Sequence, residues 1–202
     1  AGEGKGVILE ELAKLWYAAG YPSIAADYLR QRADLNPTYE NYMVAGSELF
    51  AALPMDTTNQ MRVNLVYGAR YSFEKALTLR PNDIDARIGL ATVLVQGTTQ
   101  PMEGITLLRE IDAEQPGNVK VNLSLGEFSM MSGQYEKAIE RFAAVLEKDS
   151  LNLRSRYLMA EAYLGLKDTA NAVNILEKTA TLVQDTAMAE SIRADIKSLK
   201  NH

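Results

Sequence analysis

Apolar residues recur along this chain in steps of three and four. Between residues 135 and 148, Ile139, Phe142, Ala143 and Leu146 fall on one side of a helical wheel. Glu136, Lys137, Glu140, Glu147 and Lys148 fall largely on the other. Similar segments of roughly 12 to 15 residues follow one another, separated by the breakers AGYP, LNPT, LRPND, EQPGN, MSGQ and KDSLN. Alternating Val, Ile and Thr between turns, the mark of a strand, is almost absent. Connections this short make neighbouring helices antiparallel. The pattern therefore predicts an all-α chain.

The helices also repeat an order of side-chain sizes. Residues 125–142 read LGEFSMMSGQYEKAIERF: a Leu-Gly pair, a small pair at Ser132-Gly133, then Tyr135, Ala138 and Phe142. The four-residue step of Ala138 and Phe142 returns at Ala25/Leu29, Ala69/Phe73, Gly104/Leu108 and Ala172/Leu176. Eight residues past the second member stand Pro37, Pro81 and Pro116, with Ser150 and Gln184 in the last two copies. From Gly104 to Ala138 to Ala172 the step is 34 residues each time. This period, with Leu-Gly, Tyr, Ala, Phe and Pro in order, resembles the tetratricopeptide repeat.

The resemblance implies a right-handed α-solenoid of antiparallel helix pairs, a superhelix. It divides the chain into a linker at 1–5 and one array over 6–202. The repeats are expected at about 6–39, 40–84, 85–118, 119–152 and 153–186, with a capping helix at 187–200. Met188, Ile192, Ile196 and Leu199 give the cap its apolar face. Asn122 and Arg156 depart from the family's preference for a large apolar residue at their places. In this family the first helix of each pair lines a concave groove that takes peptides or helices. Carried onto this chain, the groove positions are Asn41, Val44 and Glu48; Val93 and Gln96; Lys120, Leu123, Glu127 and Met130; and Arg154, Tyr157 and Glu161, with Ala51, Ala86, Gly89 and Leu164 completing the four rows. The competing reading makes these ordinary solvated residues of a scaffold. The carboxylate clamp of co-chaperone relatives is missing, because its places hold Glu10, Lys14, Ala45, Ala86 and Leu90.

The second repeat is 45 residues long, and its surplus falls between its two helices. The first should stop before Pro54. Asp56, Thr57 and Thr58 are N-cap candidates for a second helix running to Leu79, about two turns longer than its counterparts. Met61 and Leu65 on the added turns form a candidate contact site. Two outcomes compete: Leu53 and Met55 fold back over them, or a partner or second copy meets them, making 53–68 the segment through which an otherwise monomeric chain would pair. Arg62 and Asn64 should face water.

Composition narrows the function. The chain has 202 residues, a net charge of −5 and a pI of about 5.1, which makes it a poor candidate for nucleic acid, and no nucleic-acid partner is expected. No apolar run is long enough for a bilayer. There is no cysteine, and the one histidine is His202, so neither a Cys-His nor a Ser-His-Asp set can form around an internal histidine. GEGKG is no phosphate loop, and NDIDARIG lacks the glycine and glutamate of a calcium loop. Trp16, the tyrosines and most methionines are read as packing residues. No catalytic residue, metal or cofactor is called for. The expected function is a non-enzymatic module that binds a protein or peptide. The alternatives are a structural assembly subunit of a bacterial envelope complex, of the kind that assists cytochrome c maturation, or an accessory domain of a larger protein. The opening AGEGKG, without Met, is compatible with an extracytoplasmic domain behind a removed signal or anchor.

Overall fold

The computed structural model describes residues 2–55, 58–98 and 101–200; Asp56, Thr57 and His202 lie outside them. The described residues form eleven α-helices and no strand. They are α1 (Gly2–Ala18), α2 (Pro22–Leu35), α3 (Tyr39–Ala51), α4 (Asn59–Leu79), α5 (Ile84–Gly97), α6 (Pro101–Glu114), α7 (Val119–Met131), α8 (Tyr135–Lys148), α9 (Leu153–Gly165), α10 (Thr169–Leu182) and α11 (Thr186–Lys200). The chain forms two compact units, Ala1–Leu108 and Arg109–His202, with the division inside α6. Within each, consecutive helices pack as antiparallel pairs. The fold class is the all-α helix-pair solenoid.

Local chemistry fixes the helix ends. Thr38, Asp83, Asn118, Asn152 and Asp168 each accept a hydrogen bond from a backbone N–H in the first turn of the helix that follows. Proline opens α2 and α6, where its missing N–H costs nothing. The turns after α1 and α7 place Gly20 and Gly133 at φ of 82° and 70°. The matching turn after α9 puts Lys167 at φ 61°. At the N-terminus the linker expected over 1–5 is corrected: α1 already begins at Gly2. A helix anchored by buried Leu9 extends outward readily, because adding residues costs far less than nucleating the first turn.

The alternation of small and aromatic residues is a packing device. Phe142 is fully buried, and a Cβ placed on Gly126 of α7 would lie 2.5 Å from its ring. Phe73 sits between Gly46 of α3 and Gly89 of α5, where an added Cβ would lie 3.0 and 2.5 Å away. Ala138, Ala69 and Ala172 are completely buried at the close approach of paired helices. Asn122 is also buried. Its Oδ1 accepts from Arg141 at 2.9 Å, and the same guanidinium donates to Asp112 at 2.7 Å. A satisfied polar network replaces the expected apolar side chain.

Two site expectations fail at this level. Leu65 is 2% exposed, so it offers nothing to a partner. The added turns of α4 lie against α2 and a 3-10 turn at Leu53–Met55, and Leu53 packs in one cluster with Leu65, Leu49 and Ala26. Of the two residues expected to fold back, Leu53 does so, together with α2 and α3, while Met55 stays 70% exposed. Thr58 is the N-cap residue of α4. Arg62 and Asn64 are exposed, though Arg62 donates to the Leu53 carbonyl at 3.0 Å. Val93 is fully buried against Phe73, as is Ala86 against Tyr42. The cause is register: α5 has 14 residues where α7 and α9 have 13, and a slip of one residue turns a helix by about 100°.

Candidate functional site

The expected groove positions divide between the two units. In the first, Asn41 is engaged at the start of its own helix: its side chain donates to the Asn36 carbonyl and its N–H to Thr38. Glu48 accepts from the Tyr17 hydroxyl, which raises the tyrosine's pKa through that hydrogen bond, burial and the glutamate's charge. Val44 and Gln96 are exposed. This face carries little convergent chemistry.

The second unit gathers more. Lys120, Leu123, Glu127 and Met130 follow the i, i+3, i+7, i+10 steps of one α7 face, and Arg154, Tyr157, Glu161 and Leu164 do the same on α9. Arg154 Nε and a terminal nitrogen both reach Glu127 Oε1, at 2.8 and 2.7 Å, joining the two helices. Arg154 is largely exposed and Glu127 only partly so. Leu123 and Met130 are half-buried against the Ala138–Phe142–Ala162 cluster, leaving part of each side chain on the surface.

The capping helix completes the face. Tyr157 donates to Asp195 Oδ2 of α11 at 3.0 Å. That hydrogen bond is the main cause raising the Tyr157 hydroxyl's pKa, with burial and the charges of Asp195 and Glu161 adding to it. Beside this bond opens a cleft of about 280 Å³, lined by Tyr157, Glu161, Leu164, Leu176, Asp195 and Leu199, with Ala160 and Ser198. Asp195 was not among the residues singled out from sequence. The readable signal was the 192/196/199 stripe of α11, which puts residue 195 on its flank.

A second concavity, of about 560 Å³, lies between α2 and the lengthened α4 and has Ile24, Met61 and Tyr67 among its lining residues. Arg30 there bridges Asp27 at 2.9 Å and Asp34 at 2.9 Å, and Asp34 also accepts from Tyr42 and Tyr71. Met61 therefore forms part of a wall and not an isolated contact patch. No group of metal-binding side chains occurs among the described residues, and no described helix is long and apolar enough to cross a membrane.

A family model for the tetratricopeptide repeat matches residues 100–150 and 129–196. Among solved structures, the chain is similar to TTC0263, a thermophilic TPR protein of Thermus thermophilus, at 16% identity and a TM-score of 0.65, with 100% of each chain covered. It is similar to PilW, described as a widely conserved type IV pilus biogenesis factor, at 16% identity and a TM-score of 0.67, over 97% of this chain and 86% of that one. It is also similar to YrrB, described as a TPR protein with an unusual peptide-binding site, at 20% identity and a TM-score of 0.55, over 92% and 90% of the two chains. At these identities the likeness is one of fold. No protein of curated function matches the chain by sequence.

Proposed function

Because the chain is a tetratricopeptide-repeat protein, we propose that it is a non-enzymatic interaction module whose α7–α9–α11 face receives a peptide or helical segment of a protein partner. The observation that carries this reading is the convergence of Arg154–Glu127, Tyr157–Asp195 and a partly apolar cleft on one surface of the second unit. A segment lying there meets an aromatic ring, exposed charges of both signs and the outer parts of Leu123 and Met130. Interaction sites of this composition rest on a few aromatic and arginine anchors. Binding of roughly micromolar strength, near −8 kcal/mol, fits a single short segment.

Photo-crosslinking tests the assignment. A benzophenone amino acid placed singly at Met130, Arg154 or Glu161 should capture a partner in the native cell. The same group at Glu140 or Glu177, exposed on the second helices, should not. Tyr157→Ala and Glu127→Lys should weaken the captured complex in solution. Capture confined to Glu140 and Glu177, with both variants binding normally, overturns the proposal.

A further inference from the structure

Resting on that reading, we infer that the cleft between α9 and α11 is a pocket for a basic side chain, and that the segment it receives carries a Lys or Arg there. The charge of the lining is one-sided. Glu161 and Asp195 supply two carboxylates, and no Lys or Arg is among the lining residues. The nearby cations point elsewhere or are engaged: Arg154 is held by Glu127, and Lys200 donates to Glu177 at 2.7 Å. Arg193 and Lys197 stand two residues either side of Asp195, about 200° around α11.

The walls fit the rest of such a side chain. Leu164 and Leu199, partly exposed over the buried Leu176, offer apolar surface to a four-carbon stem, whose head would stay at the wet rim. Tyr157 lines the cleft, and its hydroxyl holds Asp195 at the rim. Only one oxygen of Asp195 takes that bond, so the other is available to accept from an ammonium or guanidinium group. A volume of about 280 Å³ admits one long side chain and no folded element. An acidic side chain would meet two like charges, and an apolar one would leave both carboxylates without a cationic partner. The chain's net charge of −5 favours approach of a basic segment.

The test uses three pools of fluorescent, acetylated nine-residue peptides with randomised flanks and a central Lys, norleucine or Glu. Binding to the whole chain is read by anisotropy, and its place by NMR shifts of the Leu199, Leu164 and Met130 methyls. The Lys pool should bind best and shift Leu199 and Leu164. Glu161→Gln and Asp195→Asn, conservative changes at exposed positions, should each weaken the Lys pool by up to about fivefold. Neither should weaken the norleucine pool. If norleucine or Glu pools bind the same face as well as Lys, or the two variants leave the Lys pool unchanged, the basic-pocket inference falls while the interaction face stands. If no pool shifts the Met130, Leu164 or Leu199 signals, both fall.

Discussion

The pairs α3/α4 and α7/α8 use the same contact with different lengths of chain. Gly126 and Phe142 are 16 residues apart, and Gly46 and Phe73 are 27 apart, yet each glycine lies against its phenylalanine ring. The eleven extra residues are taken up at the open end of the pair, in a 3-10 turn and added turns of α4, without moving the contact that sets register. The contact itself differs in one respect. Phe142 fills the hollow over Gly126, whereas Phe73 is shared between Gly46 and Gly89 on successive first helices. Register in this fold is therefore fixed by a few side-chain sockets and tolerates insertion away from them.

The strongest way to break this comparison is to empty the sockets. Phe73→Ala and Phe142→Ala should each cost about 3–5 kcal/mol. Amide hydrogen exchange should show the Phe73 change protecting α7–α10 as before while α3–α5 open, and the Phe142 change doing the reverse. Equal loosening of both units by either variant contradicts the local role. Next comes the insertion. Leu65→Ala should cost about 2–5 kcal/mol in urea unfolding because Leu65 is core. Met61→Ala should cost clearly less, since Met61 is half-buried. Equal costs would mean that the added turns pack differently.

Smaller effects separate the two glycines. Gly126→Ala should destabilise by about 1–3 kcal/mol, because Phe142 has nowhere to move. Gly46→Ala meets its ring at 3.0 Å with Gly89 confining the ring on the other side, but gains up to about 1 kcal/mol of helix propensity, so it should be destabilising by less than Gly126→Ala. Thermal midpoints of the pair check this. The gentlest probe is alkali. Burial, with the Asp83 hydrogen bond, pushes Tyr39 up to about 12; burial, with the charge of Asp34, pushes Tyr42 up to about 12. A pKa raised from 10 by folding means stability that is complete below pH 10 and lost as pH rises toward 12. Because the chain has ten tyrosines, the readout is the ring NMR signals of Tyr39 and Tyr42, whose ionisation should coincide with loss of the α3/α4 helix signal. Ionisation of these two rings at pH 10 with the fold intact would refute it.

The helices, their order and the packing of Ala138 and Phe142 were legible in sequence because each is a local, periodic signal. The face of α7 and α9 was legible too, since its residues recur at helical spacing. What escaped depended on distance or register. Val93 was assigned outward because a constant 34-residue step misses the additional residue in α5. Leu65 was left open because its cover comes partly from Ala26 and Leu49, well away in sequence. Asp195 and Tyr157 are 38 residues apart, and nothing in either local pattern names the other. The tyrosines were read as packing residues. Several instead carry carboxylate hydrogen bonds between helix pairs, as Tyr17 does with Glu48 and Tyr39 with Asp83.

Lys167 offers an opening for protein engineering. It occupies the left-handed turn position that Gly20 and Gly133 fill in the equivalent connections. An L-residue held there carries strain of about 1 kcal/mol or more, while glycine adopts the same backbone freely at some cost in unfolded-chain entropy. Lys167→Gly is thus a substitution for hardening the module, worth up to about 1 kcal/mol. The change lies in the connecting turn and outside the lining of the α9–α11 cleft, so ruggedness could be added without redesigning recognition.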